Sequence, residues 1–257
     1  LVGDNPGSAS YVRNKMRSCE RTGIKSTLIK EDSGITEEAL LKTIQQLNED
    51  ETVDGFIVQL PLPKHISENK VTLAINPNKD VDGFHPTNFG LMAQGMPQYI
   101  PATPFGMVTM LERYGIETSG KHCVVLGRSN IVGTPMSILM SRKAKVGNCT
   151  VTLTHSRTKN IKEEVQRADI IVAAIGIPNF ITADMVKEGA VILDVGINSV
   201  EDSSKKRGYR LVGDVDFDAV APKCSFITPV PGGVGPMTVT ALIMNTLKSY
   251  KKYYLKA

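Results

Sequence analysis

The sequence predicts an α/β protein of two domains, one of them a Rossmann-like doubly wound parallel sheet. Three observations carry this. From Lys121 onward, short apolar runs alternate with helical patterns. Cys123–Leu126, Thr150–Thr154, Ile170–Ile175 and Val191–Val195 have the length and composition of buried strands, and helices start near Ile131, Asn160 and Thr182. Strands alternating with helices imply parallel strands joined by crossovers. Second, Lys121 to Pro135, KHCVVLGRSNIVGTP, turns from strand to helix at Gly127. A helix N-terminus aimed over such a turn is an anion site, which in α/β proteins usually holds a phosphate. Third, Ile100-Pro101-Ala102-Thr103-Pro104 is a rigid connector, and a segment with its own helices and strands precedes it.

The 257 residues suffice for one large α/β domain or two smaller ones. A hydrophobic content of 41% allows a full core, and 22% charged is ordinary. No apolar run approaches the ~18 residues of a membrane span, so no membrane partner is expected. The chain opens LVGDNP, as if cut inside a strand, so further residues are expected upstream. Cys19, Cys123, Cys149 and Cys224 are scattered, as are the four histidines. Neither set has metal-ligand spacing, so no metal is expected, and reduced thiols point to the cytoplasm. The net charge of +4 is spread along the chain. The basic clusters Lys205-Lys206-Arg207 and Lys248/Lys251/Lys252 lack interleaved aromatics and suit solvated surface better than nucleic acid.

In order along the chain, Asp4 to Ser8 is a turn, and Ser8 or Ser10 can cap the following helix. That helix puts Ala9, Val12, Met16 and Cys19 at core spacing. Tyr11 and Lys15, four apart, stack on one flank of that stripe. The pair is either a snorkelling lysine over an apolar edge, which the pattern alone favours, or a catalytic pair. A strand-like remnant covers Ser26 to Ile29, and a helix runs from Glu37 to Leu47. Val53 to Leu60 is expected as a buried strand stopped by Pro61 and Pro63. Gln59 at its end is a satisfied amide or a substrate contact. A helix follows over Glu68 to Ile75, then Asp80-Val81-Asp82-Gly83. Two carboxylates on such a loop can hold amino groups of a ligand or make Asx turns, and are a poor metal site. The helix Phe105 to Tyr114 opens the second domain.

In that domain the glycine pattern departs from GxGxxG: Ser129 replaces the second glycine, and Gly133 falls one residue late. The second strand ends Thr154-His155-Ser156-Arg157-Thr158, without the acid that would bind a ribose 2′-hydroxyl. A hydroxyl and cations suit a 2′-phosphate, and Arg128 adds a positive contact, so NADP is favoured over NAD. Ala174 and Gly176, and Gly196 with Ile197, follow the next two strands, where small residues let a cofactor lie close to backbone. Glu201 to Arg210 is expected as a polar, disordered loop. Phe226 to Thr238 is a loop rich in proline and glycine that leads into a last helix, Val239 to Tyr250. Thr238 can cap that helix or touch cofactor.

Seven stretches then carry a resemblance: SYVRNK (Ser10–Lys15), DGFIVQLPLP (Asp54–Pro63), KDVDGFHP (Lys79–Pro86), GRSNIVGTP (Gly127–Pro135), DVGIN (Asp194–Asn198), VGDVDF (Val212–Phe217) and ITPVPGGVGPMT (Ile227–Thr238). The chain resembles the bifunctional methylenetetrahydrofolate dehydrogenase/methenyltetrahydrofolate cyclohydrolase family in its bacterial form, lacking the family's N-terminal helix and most of its first strand. The resemblance implies a folate domain of residues 1–104 completed by 239–257, an NADP domain of 105–238, and a cleft between them. It implies a cytoplasmic homodimer formed through the NADP domains. Its activity would be NADP-dependent oxidation of 5,10-methylenetetrahydrofolate, then hydrolysis of the methenyl product to 10-formyltetrahydrofolate. Carried over by position, Lys15 is catalytic with Tyr11, Gln59 and Asp82. Leu60, Pro61, Gly232 and Gly233 also line the folate. Thr103, Gly127, Arg128, Ser129, Ile131, Ser156, Ala174, Gly176, Ile197 and Thr238 line the NADP site. The rival readings are an inactive homologue and another two-domain NADP oxidoreductase of shikimate-dehydrogenase type.

Overall fold

The computed structural model describes residues 1–205 and 208–254. The chain divides into two compact units, Leu1–Ala102 with Val239–Ala257, and Thr103–Thr238.

The first unit opens with α1 (Pro6–Arg21). Its cap is Asn5, whose side chain accepts the Ser8 N–H; neither Ser8 nor Ser10 caps it, because Pro6 occupies the first helical position. Ser8, Val12 and Lys15 form its buried stripe. Helix α2 (Glu37–Glu49) is capped by Thr36 and buries Leu40 and Ile44. Helix α3 (Glu68–Ala74) is capped by Ser67 and buries Val71, and α4 (Pro86–Ala93) is capped by the His85 ring. Val2, Leu40, Ile44, Ile66, Val71 and Ile75 make the core, with Phe56, Val58 and Leu62 against it.

Two expected strands are absent from this unit. Over Val53–Leu60 the backbone bridges a neighbour at one point, Phe56 to Asp80. Directly after Asp80 the partner segment curls into a turn closed by Gly83 N–H on the Asp80 carbonyl, so no ladder can continue. Ser26–Ile29 also lacks a ladder; the pairing falls at Glu31, which bridges Val2 just before Gly3 turns the chain at φ +75°. An apolar run makes extended backbone, but a strand needs a partner along its length.

The second unit starts in α5 (Ala102–Arg113) and forms a five-stranded parallel sheet. Its elements are β1 (His122–Leu126), α6 (Gly133–Ser141), β2 (Thr150–Thr154), α7 (Ile161–Gln166), β3 (Ile170–Ala173) and β4 (Ala190–Asp194). A separate antiparallel pair, β5 (Asn198–Glu201) and β6 (Tyr209–Val212), precedes the short α8 (Phe217–Val220) and β7 (Cys224–Ile227). The order across the sheet is β2-β1-β3-β4-β7. Cys123 and Val125 pack into one core, Val124 and Leu126 into another, so both faces are covered and the strand is apolar from Cys123 on.

Three expectations are corrected here. The segment from Thr182 is only a three-residue 3₁₀ turn, Ala183–Met185, because Gly189 turns the chain at φ +76° into β4 before a longer helix fits. Glu201–Arg210 is not one open loop. Its ends belong to the β5–β6 hairpin, held by Asp202 N–H on the Gly208 carbonyl, while Lys206 and Arg207 lie outside the described residues. The last helix, α9 (Val234–Tyr254), begins five residues before Val239, since a proline at 236 is tolerated in a first turn. From α9, Asn245 donates to the carbonyls of Val81 and Ile100, both at 2.9 Å, and Ser249 donates to that of Asp54. All of these lie in the first unit.

Candidate active site

In the first unit, the stripe of α1 carries Lys15 inward, to 9% exposure. Its Nζ donates to Gln59 Oε1 at 3.1 Å and stands 5.8 Å from the centre of the Tyr11 ring, a cation–π distance. The Gln59 Nε2 donates to the Leu60 carbonyl at 2.7 Å. This bond fixes which way the amide faces and leaves its oxygen to the ammonium. The Leu60–Pro61 peptide that follows is cis. An amine, an amide and an aromatic face thus converge on one point, a set able to hold a proton donor and acceptor in place.

The two aspartates of the next loop have different surroundings. The Asp80 carboxylate accepts from the N–H groups of Gly83, Phe84 and His85 and from Asn88 Nδ2, between 2.8 and 3.2 Å. It ties its loop to the start of α4. Among the described residues no donor bonds the Asp82 carboxylate. Burial pushes its carboxyl above the usual range, the Lys15 charge pulls it back, and Asp80 adds to the rise. A buried acid without a protein donor, facing a buried lysine, is the pattern of a ligand-binding group rather than a turn. Spacing could not separate the two, because both aspartates precede the same turn, and only the fold shows that the donors three to eight residues on converge on Asp80 and leave Asp82.

In the second unit, Gly127 ends β1 at φ +100°, and a Cβ there would lie 2.1 Å from the Ala174 carbonyl oxygen. A Cβ on Gly133 would lie 1.9 Å from the Gly127 oxygen. The late third glycine is therefore the one that lets α6 close onto the strand end. Val132 precedes α6 without a side-chain cap, and its own N–H bonds Ser129 Oγ. Arg128, Ser129, Asn130 and Ile131 stand exposed on this turn. At the end of β2 the turn closes on itself, His155 N–H to Thr158 Oγ1 and Thr158 N–H to the His155 carbonyl. Ser156 and Arg157 are exposed there.

Thr238 does not cap α9. It lies in the first turns of the helix, where its hydroxyl bonds the Val234 carbonyl and the Thr103 hydroxyl. Gly176 has φ +68°, Gly232 has φ +113°, and Ile197 is half exposed. Gly233 lies so close to the Pro229 carbonyl that a Cβ would approach to 2.6 Å. The residues present fit a dinucleotide with a 2′-phosphate. Glycine-shaped turns follow β1 and β3, a hydroxyl and guanidinium pair stands free at Ser156 and Arg157, and no acid lies in that turn. Among the described residues no three His, Cys, Asp or Glu side chains gather as a metal site.

Sequence reasoning assigned no role to Asp194 and Asp214, both buried and both bonded to backbone N–H groups beside these turns. Each stands in a motif quoted above, which was the available signal; the packing of Asp214 against Gly196 and of Asp194 against Gly213 joins the two motifs and appears only in the fold.

Comparison with known proteins matches two segments of the chain to one family. Residues 1–82 match the catalytic domain of tetrahydrofolate dehydrogenase/cyclohydrolase, and residues 101–254 match its NAD(P)-binding domain. The chain is 61% identical over 249 residues to the bifunctional protein FolD of Cytophaga hutchinsonii, covering 97% of this chain and 86% of that protein. It is 60% identical to that of Bacteroides thetaiotaomicron, over all of this chain and 87% of the relative. The bifunctional FolD enzyme of Campylobacter jejuni superposes with a TM-score of 0.91 at 45% identity, covering 98% of this chain and 86% of that one. The methylenetetrahydrofolate dehydrogenase-cyclohydrolase of Trypanosoma brucei, solved with NADP and an inhibitor, gives 0.93 at 38%, covering 100% and 86%.

Proposed function

The chain belongs to the tetrahydrofolate dehydrogenase/cyclohydrolase family, and on that premise we propose how its residues divide the work. The protein is a bifunctional enzyme. With NADP⁺ it oxidises 5,10-methylenetetrahydrofolate to the 5,10-methenyl form, and it hydrolyses that product to 10-formyltetrahydrofolate.

The first unit is the folate domain in this reading, with Tyr11, Lys15, Gln59, Leu60, Pro61 and Asp82 against the substrate. Gly232 and Gly233 border it. Asp82 takes the N–H groups of the pterin ring; what supports this is that among the described residues no donor bonds its carboxylate. The second unit holds NADP through Gly127, Arg128, Ser129 and Ile131, through Ala174, Gly176 and Ile197, and through Thr103 and Thr238. Arg128 and Ser156 face the 2′-phosphate. NADP, when bound, accepts the hydride of the one-carbon bridge. For that step the chain's own contribution is alignment.

Hydrolysis asks more of the side chains. Water adds its oxygen to the cationic methenyl carbon and loses one proton, leaving a hydroxyl. The bond from that carbon to one ring nitrogen then breaks as the hydroxyl loses its proton and becomes the formyl C=O, that nitrogen gains a proton, and one proton is released overall. One group that takes and returns the proton serves both steps. Lys15 is that group: it is buried, and Gln59 and Tyr11 fix the position of its Nζ. That held lysine is the observation that carries the assignment. A homodimer through the second unit and a cytoplasmic location belong to the same reading. For the dimer, the support is that edge strand β7 exposes Phe226, with Tyr114 edge-on to it at 6.0 Å.

The experiment is Lys15→Met, assayed with 5,10-methylenetetrahydrofolate and NADP⁺ while NADPH and methenyl product are followed together. The expected result is a cyclohydrolase rate lower by roughly 10²- to 10⁴-fold, with the dehydrogenase reduced much less, so that methenyl product accumulates. Equal loss of both activities would remove Lys15 from this role. No NADPH from the wild-type protein would favour an inactive homologue.

A further inference from the structure

The mechanism above makes no use of two buried carboxylates in the second unit. Asp214 is fully buried. Its Oδ2 accepts from the backbone N–H groups of Ile175 at 2.7 Å and Gly176 at 3.0 Å, and its Oδ1 accepts from Asn198 Nδ2 at 2.9 Å. The segment after β3 and the segment after β4 are thus both anchored on one side chain. Asp194 in turn holds Asp214. Its Oδ1 accepts the Asp214 N–H at 3.0 Å and the Gly196 N–H at 2.9 Å, and its Oδ2 accepts the Val215 N–H at 3.0 Å.

The packing leaves no slack. A Cβ on Gly196 would stand 2.3 Å from Asp214 Oδ1, and one on Gly213 would stand 1.8 Å from Asp194 Oδ2. The chain after β3 also touches the turn after β1, since the Ala174 carbonyl abuts Gly127. Gly127, Ala174, Gly176 and Ile197 are residues assigned above to NADP, and each is within a residue or one contact of what Asp214 holds.

We propose that Asp214 is a positioning residue of the cofactor site, fixing through one carboxylate the turns after β3 and β4 that receive NADP; the proposal rests on the assignment of NADP to those turns. The partners of the Asp214 carboxylate are protein groups, the N–H groups of Ile175 and Gly176 and the Asn198 amide. The carboxylate sets where the backbone of residues 174–176 and 197–198 stands, and buried N–H groups without an acceptor would move to find one. Asp194 sets Asp214 through its backbone and closes the network.

The chemistry also predicts which substitution is tolerated. In Asp214→Asn one oxygen remains. Turned toward Ile175 and Gly176 it keeps both N–H bonds, and the new amide NH₂ meets Asn198, whose side chain can rotate to accept. Asp214→Ala removes every acceptor.

The test measures the NADP dissociation constant by titration calorimetry, cyclohydrolase kcat, and the melting temperature for the wild type, D214A and D214N. The expected result for D214A is NADP binding weaker by roughly ten- to hundredfold, with cyclohydrolase kcat at the wild-type value. D214N is expected to restore most of the NADP affinity. Unchanged NADP affinity in D214A overturns the proposal. So does equal loss of NADP binding and cyclohydrolase in D214A, which marks a general folding role, and so does a D214N as weak as D214A, which would make charge and not hydrogen-bond acceptance the requirement. A wild-type protein that binds no NADP removes the underlying cofactor assignment, a result distinct from all of these.

Discussion

Asp194 accepts three backbone N–H bonds, which favour its charged form, yet burial prevails and lifts its carboxyl to about 6, with the Asp214 charge adding to the rise. An unfolded aspartate titrates near ~3.9. The folded state therefore binds the proton more tightly, and between pH ~4 and ~6 it carries more proton than the unfolded chain. This group's contribution to stability is complete below that window and is lost as pH rises through it, by roughly 2–3 kcal/mol. Urea unfolding of the wild type and Asp194→Asn at pH 4.5 and pH 7 isolates the effect. The wild type is expected to gain on the variant by about 2 kcal/mol at the lower pH. An equal difference at both values would place Asp194 near its ordinary range. The same residue shows a limit of sequence reading. Tyr11 and Lys15 are legible as a pair from their spacing of four, and the rigid cofactor turn from its glycines. The distinct roles of Asp80 and Asp82 depend on which carboxylate the local turn donors reach, and the network of Asp194 and Asp214 depends largely on donors 16 to 39 residues away; neither leaves a periodic trace.

Among the elements, four strands of the parallel sheet in the second unit, β1 to β4, were legible to within a residue or two, because strands between two covered faces are rich in apolar residues; the edge strand β7, half exposed and with Ser225 in its middle, was not expected. The extended runs of the first unit had the same composition but no continuous partner, and composition alone does not report pairing. The β5–β6 hairpin was missed since its strands are half exposed and polar, with the burial pattern intermediate-exposed in Asn198–Glu201. The sharpest element-level constraint is the closure of α6 on β1. In a helix, alanine is preferred to glycine by about 1 kcal/mol. At Gly133 the added methyl would meet backbone at 1.9 Å, the oxygen of Gly127, and backbone cannot swing aside as a side chain end can. Gly133→Ala is therefore expected to destabilise by about 1–3 kcal/mol despite the propensity gain, with a lower melting temperature and weaker NADP binding. A melting temperature at or above the wild-type value would mean that propensity outweighs the contact.

For the whole molecule, the connector at Ile100–Pro104 marked the passage from the first unit to the second in the sequence, while the return of the chain to the first unit was legible only through the family resemblance. The physical reason for that return is a small set of polar contacts late in α9. Asn245 is buried and its one amide nitrogen serves the carbonyls of Val81 and Ile100, the neighbours of Asp82 and Pro101. Pro101 in turn lies where a Cβ on Gly83 would strike it, so this carbonyl pair sits under the loop that presents Asp82. Asn245→Ala leaves two buried carbonyls without their donor, a loss of about 2–3 kcal/mol. If the folate groups belong to the first unit and NADP to the second, the damage must be one-sided. Cyclohydrolase kcat/KM is expected to fall in Asn245→Ala while the NADP dissociation constant stays at the wild-type value. A parallel loss of NADP affinity would show that the contacts of α9 in the first unit govern the second as well, and would argue against assigning the two ligands to separate units.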